Sequence, residues 1–120
     1  MHAALKVKRA YDAPHPRDGR RVLVDRLWPR GLTRERAHID LWLKDIAPST
    51  ELRKWFSHEP DRWHEFEQRY MREIEQHPEA LALLMAEIRK GPVTLVFGAR
   101  DETHNNAVAL KDFIELHPAG

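Results

Sequence analysis

Two apolar runs without alternation, Val22-Leu23-Val24 and Val93-Thr94-Leu95-Val96-Phe97, constrain this chain more than any other feature. A strand with one wet face alternates apolar and polar residues. Consecutive aliphatic and β-branched residues instead require burial on both faces, as in the middle of a parallel sheet. Each run then ends in charge and backbone breakers. The first continues as Asp25-Arg26-Leu27-Trp28-Pro29-Arg30-Gly31, the second as Gly98-Ala99-Arg100-Asp101.

The remaining segments supply the elements such a sheet needs. Leu5-Lys6-Val7-Lys8 alternates and reads as a first strand. Residues 9–20 read as a loop, broken by Pro14, Pro16 and Asp18-Gly19. The second strand is expected over 21–27, stopped by Trp28-Pro29 because proline lacks a donor and restricts its predecessor. Gly31 permits a positive φ, and Thr33 can cap a short helix over 34–38. Residues 40–45 alternate and read as a third short strand, with a continued helix as the competitor. Ser49 suits the N-cap of a helix carrying Leu52, Trp55 and Phe56, closed by His58-Glu59-Pro60. Residues 61–76 give the clearest helix, with Trp63, Phe66, Tyr70 and Ile74 on one face. Another spans about 79–90, with Leu81, Leu84, Met85 and Ile88 inward, until Gly91-Pro92 stops it. Helical period returns from about His104 to Leu116. Strands alternating with helices point to one small α/β domain over residues 1–120, a mostly parallel sheet of about four strands flanked by helices. The direction of the first strand relative to the second stays open, because the proline-rich link makes a helical crossover awkward.

Bulk properties narrow the function classes. A chain of 120 residues supports one core, not two. The absence of cysteine removes disulfides, Cys-zinc sites, iron–sulfur clusters and a thiol nucleophile. MHAALKVKRA lacks an apolar h-region and a cleavage site, and no apolar run is long enough to span a bilayer, so a cytoplasmic protein without membrane contact is expected. Charge is uneven. Residues 1–36 hold ten Lys or Arg against four Asp or Glu, a net of +6, whereas the rest hold ten against fifteen, a net of −5. That arrangement can focus an anionic ligand, unless the two parts neutralise each other in the fold.

Ligands of open parallel sheets bind beyond the C-terminal strand ends. The two charged endings therefore define the candidate site. Asp25 and Asp101 are the candidate catalytic residues, to orient a ligand or act as base. Arg26, Arg30 and Arg100 suit bidentate recognition of phosphate or carboxylate. Lys8 and Arg9 would join them from the first strand, Trp28 would offer a flat stacking surface, and His104 and Asn105 lie on the last turn. The competing reading makes Asp25 and an arginine an internal ion pair, Trp28 a core residue and His104 a cap. His58 and His64 read as structural or surface residues, because Gln68 stands where a zincin helix needs its second histidine. No metal or cofactor is expected. Ser49 and Ser57 lie outside any G-x-S-x-G setting, and no G-x-G-x-x-G or Walker pattern occurs.

The segments KVKRAYD, DGRRVLVDRLWPRG, WLKDIAPSTELRKWFSHEPDRWHEF and TLVFGARDETHNNAVAL resemble the family of unknown function 488, in its YeaO-like branch. They cover nearly the whole chain, and VDRLWPRG is the most specific. The resemblance implies a small bacterial single-domain α/β protein, with a charged ending on the second strand and a polar turn after the last. It carries over no catalytic residues. A tetrapyrrole methyltransferase label, sometimes given to members, does not suit a chain this short without a Gly-rich cofactor loop. Two functional readings follow. In one, an anionic small molecule or nucleotide-like ligand binds at the sheet edge, with or without hydrolase or transferase chemistry. In the other, a non-catalytic regulatory module acts on a protein or on nucleic acid, the latter disfavoured because no helix pair has a basic recognition face.

Overall fold

The computed structural model describes residues 5–57 and 59–116. His58 lies outside the described residues. Four strands, β1 (Leu5–Arg9), β2 (Arg20–Leu23), β3 (Leu41–Trp42) and β4 (Val93–Phe97), form one sheet in the order β1-β4-β2-β3, with every pairing parallel. β4 therefore lies between β1 and β2. The short 10–19 link joins two strands that are parallel but not neighbours, and it makes the return through a 3-10 turn at Pro16–Asp18 rather than a full helix.

Five helices follow the expected periodicity: α1 (Arg34–Ala37), α2 (Thr50–Phe56), α3 (Trp63–Glu75), α4 (Pro78–Lys90) and α5 (Asn106–Leu116). Thr33 caps α1 by accepting from the Arg36 N–H. Ser49 caps α2 by accepting from the Leu52 N–H, and its own N–H and hydroxyl donate to Glu73 on α3 at 2.7 and 2.6 Å. One side chain thus starts α2 and fixes it to α3.

The period-2 alternation of strands sorts their side chains between two unlike layers. Val22, Val24, Val93, Leu95 and Phe97 face a large core with α2 to α5, which adds Phe66, Tyr70, Ile74, Leu84, Ile88 and Leu110. Leu23 and Val96 face the other side, where Ala10, Trp28, Leu32, Ile39 and Trp42 cover them. That second layer is largely loop and the short α1, so the four longer helices share one face. The consecutive Val22-Leu23-Val24 run is fully buried because it serves both layers.

Strand β2 is shorter than the 21–27 expected from sequence. The Val24 N–H still reaches Val96 O, but Asp25 leaves the ladder and its carboxylate takes the Gly98 N–H instead. Leu27 is exposed, so its apolar character marks no strand. The third strand is also minimal: β3 has two residues, and Lys44–Ile46 turns into a 3-10 helix.

Candidate functional site

At the C-terminal end of the sheet, β2 and β4 finish side by side and open into a cleft of about 410 Å³. That volume suits a small molecule. Asp25, Arg26 and Leu27 come from the end of β2, Ala99, His104 and Asn105 from the turn after β4, and Asn106 from the start of α5. Pro48, Thr50, Arg53, Lys54, Phe56 and Ser57 come from α2 and its flanks, and Phe66 from α3. The lining therefore combines cationic and aromatic side chains.

Asp25 sits at the centre of this geometry. Oδ2 accepts from the Gly98 N–H at 2.8 Å, and Oδ1 accepts from the Asn106 amide at 3.1 Å. The Trp42 indole donates to its carbonyl at 2.7 Å. The Asn106 amide also donates to Val24 O at 2.9 Å, so it clamps the end of β2 to the first turn of α5. Burial pushes the Asp25 carboxyl above its ordinary range, and this outweighs the Gly98 N–H, the Asn106 amide and the nearby Arg53 charge, all of which favour the carboxylate. Gly98 leaves room for this arrangement, since a Cβ there would lie 3.1 Å from Asp25 Oδ2.

Arg26 lines the same cleft and is poorly satisfied. Its closest acceptor is Ala47 O at 3.5 Å, the outer limit of a hydrogen bond, and its Nε is buried without a partner. Across the cleft, Asn105 is buried and caps α5: its side chain accepts from the Val108 N–H and its carbonyl from the Ala109 N–H. The sequence reading that gave the cap to His104 is corrected here. His104 instead packs edge-on against Trp63 at 5.2 Å, with Nδ1 3.2 Å from Asp101 Oδ2. Asp101 orders this turn by accepting from the Thr103 and His104 N–H groups, which hold its carboxyl far below the ordinary range.

The structure brings Asp25, Arg26, His104 and Asn105 together in the cleft and directs the other candidates elsewhere. Lys8 points to the opposite layer and pairs with Asp18 at 3.2 Å. The Arg9 Nε donates to Ala99 O, and its guanidinium lies over Tyr11. Trp28 donates to Leu32 O and packs edge-on against Trp42, so it is committed to the second core layer. Arg30 is exposed and its carbonyl takes the Tyr11 hydroxyl. Arg100 is exposed outside the cleft, and Asp101 supports the turn from behind. His64 is exposed and contacts Gln68 on its own helix.

Sequence reasoning missed Asn106, Gly98, Arg53 and Lys54. Asn106 was visible only as the second half of an Asn-Asn pair. Arg53 and Lys54 belong to a short helix read only through Leu52, Trp55 and Phe56, and nothing in a helical pattern tells which of its charges border the strand ends.

The comparisons with known proteins bear on the same span. A family model described as the inactive DUF488-N3 subclade matches residues 4–118. The chain belongs to this DUF488 family. Among DUF488 relatives, it is 41% identical to the uncharacterized protein YeaO of Escherichia coli strain K12 over 110 residues, covering 92% of this chain and 96% of YeaO. It is 39% identical to the uncharacterized protein Rv3073c of Mycobacterium tuberculosis strain H37Rv, covering 92% of each, and equally to Mb3100c of Mycobacterium bovis. No solved structure matches. Among the described residues, no helix is long and apolar enough to cross a membrane.

Proposed function

We propose that this protein binds a small anionic, nucleotide-like ligand in the cleft beyond β2 and β4, and holds it without turning it over. Arg26 carries the reading. A guanidinium with an orphaned buried Nε and one marginal hydrogen bond is an incomplete donor set, and buried donors are normally satisfied. A phosphate or carboxylate oxygen would complete it, with Arg53 and Lys54 supplying further positive charge from α2. Phe56 and Phe66 in the lining favour a ligand with a ring. Asp25 already receives two donors, so its first role is to hold the cleft floor in shape. The family description, an inactive subclade, supports binding over catalysis.

Thermal unfolding in the presence of inorganic phosphate, adenosine monophosphate or adenosine tests this. Adenosine monophosphate should stabilise the most, by about 2.7 kcal/mol at a hundredfold excess over its dissociation constant. Arg26→Ala and Arg53→Ala should abolish that gain. Stabilisation that survives both substitutions would place the ligand elsewhere, and product formation from a phosphoester would restore the hydrolase or transferase reading.

A further inference from the structure

A second cleft opens at the other end of β2, between the Pro16–Asp18 turn and α1. Arg21 lines it and is 3% exposed. Its Nη1 donates to Asp18 Oδ2 at 2.8 Å and its Nε to Ala37 O at 2.9 Å. Its Nη2 is buried and has no hydrogen-bond partner. A charged donor left unmade in the interior is costly, so its retention points to an absent partner.

The local charge points the same way. Asp18 is the one carboxylate within ion-pair range of Arg21 among the described residues, and it also serves Lys8. Two cations therefore share one anion. Two further acids lie close by. Asp40 accepts from the Arg21 backbone N–H, and Glu35 stands on the rim beside Arg36. On the same rim, Arg36 and His38 are exposed, and the Arg36 side chain has no hydrogen bond or ion pair among the described residues. His15 also lines the cleft. Its Nδ1 accepts from the Arg17 N–H, which leaves Nε2 as the protonated, donating nitrogen.

We propose that this cleft is a second ligand site, one that takes a phosphoryl group on Arg21, Arg36 and His15. The three donors come from a strand, a helix and a loop. Donors arriving from separate directions match a tetrahedral oxyanion better than a planar carboxylate. Arg21 Nη2, buried and without a partner, is the inner donor of this set, with Arg36 and His15 as the exposed outer ones. The rim side chains are exposed and able to change rotamer on a fast timescale.

Titration of isotope-labelled protein with inorganic phosphate, read at the Arg21 side-chain Nε–H resonance, tests the site. A saturable shift is expected, unchanged in Arg53→Ala and about tenfold weaker in Arg36→Ala, the equivalent of about 1.4 kcal/mol. Arg36→Gln should behave like Arg36→Ala, and both exposed substitutions should leave the melting temperature unchanged. A flat titration to roughly 10 mM phosphate overturns the proposal. So does a shift that disappears in Arg53→Ala, or succinate binding as tightly as phosphate. Because Arg26→Ala and Arg53→Ala report on the first cleft and Arg36→Ala on the second, the failure of one site is distinguishable from failure of the other.

Discussion

Two carboxylates at the C-terminal edge respond to pH in opposite directions. Asp101 gains N–H donors on folding, so its native carboxyl titrates below the unfolded one. Its contribution is complete above the unfolded value, about 3.9, and is lost as pH falls through the native value. Asp101→Ala should cost about 1 kcal/mol at neutral pH, the size of a capping interaction, because the side chain is partly exposed and solvent screens it. Chemical denaturation should show that gap closing as pH drops below about 4. A gap that stays constant to low pH would mean that the loss comes from packing. Asp25 behaves conversely. Burial raises its native carboxyl, so its charge costs stability at neutral pH and the cost is relieved on acidification. A residue retained against such a cost sits where shape matters more than stability.

At the scale of elements, the strand ends matter more than the strands. Gly98 closes β4 and lets the Asp25 carboxylate approach the backbone. Gly98→Ala should keep the fold, since the added Cβ meets a side-chain oxygen at 3.1 Å rather than backbone. It should still displace Asp25 and weaken the proposed binding of adenosine monophosphate, which calorimetry beside a melting curve would separate from simple destabilisation. The strands and helices themselves were largely legible. Val22-Leu23-Val24 and VTLVF announce two-sided burial, and Thr33 and Ser49 announce caps, because these signals are local. The site was legible only in part. Asp25 and Arg26 follow from the rule that strand ends carry ligands, yet the Asn106 amide contacts Asp25 across 81 residues of sequence. Trp28 looked like a stacking platform because its neighbours are charged, but its indole was needed to cover Leu23 and Val96.

The molecule as a whole is flat, 36 × 35 × 22 Å, with helices on one face and mostly loop on the other. The basic first third is not cancelled by direct pairing with the acidic remainder: among the described residues, Arg20–Glu87 is the ion pair that joins them. Order of assembly is decided at this scale too. β4 is the last strand in sequence and an inner strand in space. It pairs with β1 along its whole length and with β2 along most of it, over separations of some 73 to 88 positions. A fragment ending at Gly91 should therefore lack cooperative unfolding, however helical its spectrum, and a sharp transition in that fragment would contradict this. During synthesis the ribosome will have emitted three quarters of the chain before the strand that joins β1 to β2 appears. Until then β2 can pair with β3 alone, and the β4 flank of Val22, Leu23 and Val24 stays without its strand partner.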